Sequence, residues 1–287
     1  MNFTLKINSE KCIKCGRCAQ VCPAHIMHLD KEKGIRLSGV EDCIKCGHCV
    51  AACPVDAVEH SVFPKEKVHK IDYSTYPTAT QVELLINSRR SNRAFTKEDI
   101  PLDLLKKILE AAHRAPTASN MQQVEFTLVT NKEILHNISA YTLKVFTSME
   151  KKLTNPFLKP ILKLIMPGVY RYVPRFRRMR DEFAKGNDLI LRGATAVIFI
   201  HTPKDNRFGR DDANLAYQNG SLMAQTLGVS QFYTGFVCTA IRQDKKNELA
   251  KMLGIEGTIH AGMALGMPQF KFPNYIDKKE LVVKMLL

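Results

Sequence analysis

Eight of the nine cysteines in this 287-residue chain lie between Cys12 and Cys53, in two runs of one spacing. A shift of 31 positions lays EKCIKCGRCAQVCP (10–23) onto EDCIKCGHCVAACP (41–54) and pairs Cys12, Cys15, Cys18 and Cys22 with Cys43, Cys46, Cys49 and Cys53. Thiols concentrated in this way exclude a disulfide network spread through the fold and point to one local, internally duplicated metal-binding unit. Cys238 stands apart. It falls in an expected strand and reads as a small buried apolar residue rather than a nucleophile.

Three cysteines at two-residue intervals wrap a tight loop whose thiolates converge on three irons of one cube. The fourth, followed by proline, points away and serves the other cube, a run that is itself a standard example of bacterial ferredoxin ligation. The segment therefore resembles two-[4Fe–4S] bacterial-type ferredoxins. The resemblance assigns Cys12, Cys15, Cys18 and Cys53 to one cluster, and Cys43, Cys46, Cys49 and Cys22 to the other. Gly16 and Gly47 fit close backbone approach, and Pro23 and Pro54 stop the chain from continuing as helix. Structural zinc is the competing reading, but a zinc site has no use for a third cysteine two residues on, twice over. His48, inside a cluster loop, is either a tuner of potential or simply exposed.

The remainder is long enough for a second, larger domain. Residues 64–80, with two prolines and no apolar periodicity, read as a linker between a domain at 1–63 and another at 81–287. The expected elements after it are helices at 81–90 and 101–114, a strand at 125–130, a helical and irregular stretch over 131–190 and a strand at 195–202. A helix at 211–228, a strand at 232–238, a helix at 244–253 and a strand at 258–266 complete the series. Leu104, Leu105, Ile108, Leu109 and Ala112 recur at helical spacing, while ATAVIFIHT (194–202) is a continuous apolar run suited to a buried strand. The fold class is α+β, a small ferredoxin-like domain followed by a domain with a central, mostly antiparallel sheet.

The net charge of +14 is uneven. Between Lys144 and Arg180 ten Lys and Arg face a single acid, Glu150, within a basic segment at about 140–185. Such a face attracts acidic proteins, phosphate groups or anionic lipid, or is a solvated helical surface. No segment offers the ~18 uninterrupted apolar residues of a membrane span, and the N-terminus has no cleavage signal, so the expected location is the cytoplasm. Peripheral membrane contact is not favoured, and nucleic acid ranks last because no binding motif accompanies the charge.

Two motifs in the second domain carry chemistry. SRRSNRAF (88–95) groups Arg89, Arg90 and Arg93 around Ser91, a set of forks and a hydroxyl suited to a phosphate monoester. APTASNMQ (115–122) breaks a helix and offers Thr117, Ser119, Asn120 and Gln122, neutral donors and acceptors suited to a polyol chain and a pyrimidine edge. In this order the two resemble the opening motifs of the nitroreductase family of FMN enzymes, and YTGF (233–236) and ALGMPQFK (264–271) extend the resemblance. It implies that Arg89, Arg90, Ser91, Arg93 and Lys271 bind the phosphate and ribityl chain. Thr117, Asn120 and Gln122 would line the flavin, and Thr234 and Gly235 would lie near flavin N5. The family's Pro-Trp after the second motif is replaced by Gln123-Val124, and the chain has no tryptophan.

The resemblance further implies a homodimer with FMN at the interface. Clusters only pass single electrons, so the expected function is an oxidoreductase in which an external ferredoxin or flavodoxin feeds two clusters and then FMN. The flavin would reduce an organic acceptor: a nitroaromatic, a quinone or an activated alkene. A reductive dehalogenase or substrate dehydrogenase of the same fold is the alternative enzyme. An electron relay or redox sensor is the non-enzyme alternative. No side chain is singled out as proton donor, and His113, His201 and His260 read as structural.

Overall fold

The computed structural model describes residues 3–286. The chain divides into two compact units, residues 1–77 with 118–121, and residues 78–117 with 122–287.

In the first unit β1 (Leu5–Ile7) pairs antiparallel with β4 (Val58–His60), and β2 (Met27–Asp30) with β3 (Gly34–Leu37). Two four-residue helices, α1 (Arg17–Gln20) and α2 (His48–Ala51), follow Gly16 and Gly47. Both glycines have left-handed backbones, φ 73° and 75°, which L side chains rarely adopt. The backbone repeats with the sequence. Lys14 and Lys45 share positive φ, as do His25 and Asp56, each pair 31 positions apart. The core is Leu5, Cys18, Ile26, Met27, Cys49 and Val58, so cysteines form part of what little apolar interior the unit has.

The second unit begins with α3 (Ala79–Ser88), opened by a capping box in which Thr78 and Gln81 satisfy each other's backbone N–H. α4 (Leu102–His113) buries Leu105, Ile108 and Ala112 on one face. β5 (Glu125–Val129) leads to α5 (Lys132–Thr154), capped by Asn131. The basic stretch continues as α6 (Lys159–Ile165), a 3-10 segment (Pro167–Tyr172) and α7 (Val173–Ala184), with prolines at the helix starts, where a missing N–H costs nothing. Then come β6 (Ala196–Thr202), α8 (Gly209–Thr226), β7 (Ser230–Tyr233), α9 (Gly235–Gln243), α10 (Glu248–Met252) and β8 (Thr258–Gly266). The sheet order is β5-β6-β8-β7 and every pairing is antiparallel.

β6 explains why its sequence is apolar throughout. Val197 and Phe199 join the layer built by α5, α7 and α9, while Ala196, Ile198 and Ile200 join the layer built by α4 and α8. A strand covered on both faces has no solvent side to mark by alternation.

One expected element is corrected. The strand expected at 232–238 ends at Tyr233, and α9 starts at Gly235. Val237 and Ala240, three apart, bury into the layer beneath, so packing overrides the β propensity of this run. Cys238 is therefore helical. The helix expected at 244–253 shortens to Glu248–Met252 because the Asp244 carboxylate accepts the N–H groups of Lys246 and Glu248 in a turn.

Candidate functional site

In the first unit Cys12, Cys15, Cys18 and Cys53 line one small cavity together with Gly16. Burial leads in raising the Cys18 thiol, and Cys53 and Cys12 add to it. Burial likewise pushes the Cys49 thiol up to about 11, with Cys46, Cys43 and Cys22 adding to it. Thiols that discourage one another's ionisation fit a site whose negative charge is balanced by bound iron, because the thiolate is the ligand. Cys18 thus has Cys53 and Cys12 as its charged neighbours, and Cys49 has Cys46, Cys43 and Cys22. The Ala57 N–H donates to Cys53 Sγ at 3.1 Å, and His60 Nε2 lies 3.7 Å from Cys43 Sγ. His48 is exposed as the first residue of α2. Sequence reading passed over His60, although the repeat itself flags it: position 29, its counterpart, is leucine.

In the second unit the arginine motif is zipped onto the end of β8 and the segment beyond it. Thr96 N–H donates to the Met267 carbonyl at 2.8 Å, Gln269 N–H to Ala94 at 3.0 Å, and the Asn92 amide to Phe270 at 3.3 Å and to Ser230 Oγ at 2.9 Å. Asn92, buried and unremarked in the sequence, is the peg that ties the segment just before Lys271 to the arginine motif. Arg89 caps α3. Arg90 donates to the Ile276 carbonyl, and Ser91 bridges to Gln231. Arg93 lies 5.3 Å over the Phe232 ring and donates to the Ser91 carbonyl.

Arg93, Phe232, Thr234 and Gly235 share a cavity of about 550 Å³ with Phe176 and Phe236. Gly235 opens α9, so its N–H is among the unbonded donors of a helix start. The Thr234 N–H is held by the Gly262 carbonyl at 2.9 Å. A Cβ at position 262 would strike Thr234 Oγ1, so only glycine lets the end of β7 sit against β8 here. Cys238, buried, lies 3.7 Å from Thr234 Oγ1, and burial raises its thiol, which removes it from nucleophilic duty.

An adjoining cavity of about 410 Å³ is lined by Arg93, Arg175, Arg178 and Arg192. Burial leads in lowering the Arg192 guanidinium, and Arg93 adds to it. Among the described residues none of the four forms an ion pair. Arg177 and Arg180, on the same helix, both close onto Glu150 at 2.6 and 2.8 Å. The basic segment therefore has a side that closes onto Glu150 and a side that lines this cavity, where Glu182 lies within electrostatic reach of Arg178. Sequence reading counted its charges without separating the two.

The second motif forms a loop closed by the Gln122 N–H on Thr117 Oγ1 at 2.9 Å, with Ser119, Asn120 and Gln122 all at positive φ. The Asn120 amide donates to the carbonyls of Ile44 and Lys45, within the first unit. Its donor is thus engaged by the cysteine loop. His201 bonds Thr127 Oγ1 and His260 bonds Thr202 Oγ1, both as structural residues.

Comparison with known proteins agrees with this layout. A protein of Archaeoglobus fulgidus named provisionally as an NADH dehydrogenase/NAD(P)H nitroreductase is 23% identical over 191 residues, 64% of this chain and 84% of that one. The crystal structure of a nitroreductase with bound FMN from Bacteroides fragilis superposes with a TM-score of 0.55 at 20% identity, covering 72% of this chain and 99% of that one. Another FMN-bound nitroreductase, from Desulfitobacterium hafniense, gives 0.54 at 22% identity over 70% and 96%. These likenesses establish the fold. With residues 86–267 matching the Nitroreductase family and residues 4–54 a 4Fe-4S dicluster domain, the chain belongs to the nitroreductase family of oxidoreductases and carries a dicluster domain ahead of it.

Proposed function

We propose that this protein is an FMN-dependent reductase wired through its own iron–sulfur clusters. The observation that carries the reading is the union, in one chain, of a dicluster domain and a nitroreductase domain. Cys12, Cys15, Cys18 and Cys53 hold one cluster, and Cys43, Cys46, Cys49 and Cys22 the other. Bound FMN supplies the conversion of single-electron input into two-electron reduction.

The chain's own groups bind and orient. Arg89, Arg90, Ser91 and Lys271 take the phosphate end, gathered by the Asn92 contacts. Arg93 would join them along the phosphate and ribityl chain, and Thr234 and Gly235 would lie near the reactive edge of the ring. Thr117 and Gln122 complete the polar lining. Support for the FMN reading comes from the donor set: cationic forks for a phosphate, a helix-start N–H and aromatic walls for a planar ring. The four arginines that line the adjoining cavity favour acceptors with an anionic group attached to an aromatic or apolar body, among the nitroaromatics, quinones and activated alkenes.

The protein acts as a homodimer in the cytoplasm, fed by a reduced ferredoxin or flavodoxin. The exposed apolar side chains of α3, among them Leu84 and Ile86, support self-association. The A. fulgidus relative favours a second reading, with a nicotinamide as direct donor.

An anaerobic titration of the reconstituted protein separates the two. The wired reductase holds about eight irons and one FMN per chain, and reduced ferredoxin bleaches clusters and flavin while NADPH does not. Bleaching of the flavin by NADPH with the clusters left oxidised overturns it.

A further inference from the structure

We propose that His60 donates its Nε2–H to the Cys43 thiolate of the second cluster site, and that this bond raises the reduction potential of that cluster alone.

The geometry selects the tautomer. The Val62 N–H donates to His60 Nδ1 at 3.2 Å, so Nδ1 offers a lone pair and the ring proton sits on Nε2, the nitrogen 3.7 Å from Cys43 Sγ. The ring has little freedom to leave. It is 4% exposed, stacks on Phe3 at 5.0 Å and 10°, meets the edge of Phe63 at 5.1 Å, and its backbone is paired with Leu5. The groups facing it are Cys43, Phe3, Phe63 and the positive charge of Lys45.

The internal duplication sharpens the point. The 31-residue shift puts Leu29 where the second half has His60, and Leu29 has no donor; it packs instead over the first loop, within 2.9 Å of where a Gly16 Cβ would lie. The first site receives an N–H from the backbone, Ala57 to Cys53, which a side-chain substitution leaves in place. The second receives one from a side chain, which mutation can remove.

The chemistry is a one-electron step. A low-potential one-electron donor supplies the electron, no covalent bond forms or breaks, and the proton stays on Nε2. The added negative charge spreads onto the cysteine sulfurs, and an N–H aimed at one of them bonds more strongly to the reduced form, which moves the potential upward. His60 is thus a positioning residue for electron entry. The proposal rests on the reading of Cys43 as a cluster ligand.

The experiment is a dithionite redox titration of the full-length protein followed by EPR, on wild type, His60→Phe and His60→Gln. Phenylalanine keeps a ring on Phe3 without a donor, and glutamine returns an N–H at the reach of Nε2. The expected result is a downward shift of one cluster midpoint in His60→Phe, recovery in His60→Gln, and an unmoved second midpoint in both. Unmoved midpoints for both clusters in His60→Phe overturn the proposal. Should that variant lose iron, pulsed EPR of reduced wild type carrying ¹⁵N-histidine decides: a nitrogen coupling to one cluster upholds the bond, and its absence removes it. Wild type with far fewer than about eight irons defeats the ligand reading itself, and the His60 role with it, an outcome distinct from unmoved midpoints.

Discussion

The cysteine-bearing unit and the sheet-bearing unit reach stability by different means. The first has strands of three or four residues, helices of four, and a core cluster of six residues of which two are cysteines. The second sandwiches a sheet between two apolar layers, with β6 buried along its whole length. A unit so poor in apolar interior needs a staple, and here the staple is the cofactor. The difference teaches that two cysteines, Cys18 and Cys49, are part of the first unit's core, whereas the second unit's sheet is covered by apolar layers of its own.

Removing iron tests this contrast most severely. Chelation under anaerobic conditions is expected to abolish amide-exchange protection in residues 3–77 while β6 and β8 stay protected. Equal loss in both units would erase the distinction. Next in size, Gly262→Val drives a branched side chain against Thr234 Oγ1 and the Phe199 ring and should cost about 3 kcal/mol, read as a lowered denaturation midpoint of the second unit.

A smaller effect belongs to Glu150. Burial alone would raise its carboxyl, but the hydrogen bonds from Arg177 and Arg180 outweigh burial and hold it below the ordinary carboxylate range. Glu150→Gln should cost about 1–2 kcal/mol, discounted because both arginines are half exposed. A carboxyl held low stabilises the fold above its unfolded value, and that contribution is lost as pH falls through the folded one. The gap between wild type and Glu150→Gln should therefore close in acid, and urea titrations at several pH values check the sign. Smallest of all, Cys238→Ala should leave turnover unchanged and cost about 1 kcal/mol, since the thiol serves as packing on α9. A large loss of turnover would restore Cys238 as a reacting group.

Both domains are readable in the sequence because the spacing of their motifs is local. Two CxxCxxCxxxCP runs and RRSNRAF declare their chemistry within a few residues, and β8 was bounded at 258–266 as observed. The run after Tyr233 was misread because Val237 and Cys238 favour strand locally, and only contact with the layer below makes them helix. Asn92 escaped notice because its partners, Ser230 and Phe270, lie far along the chain. Arg175 and Arg178 could not be told from Arg177 and Arg180 by composition, since helix rotation alone decides which pair meets Glu150.

From the order of residues came the duplicated cysteine unit, the α+β class, the two-motif resemblance and the positions of most strands, all of which follow from short-range spacing and periodicity. The tertiary structure alone decided that His60 rather than His48 faces a cysteine sulfur, that Gly262 admits Thr234, and which arginines close onto Glu150 and which line a cavity. Those outcomes depend on close approach between residues distant in sequence, and periodicity carries no information about approach.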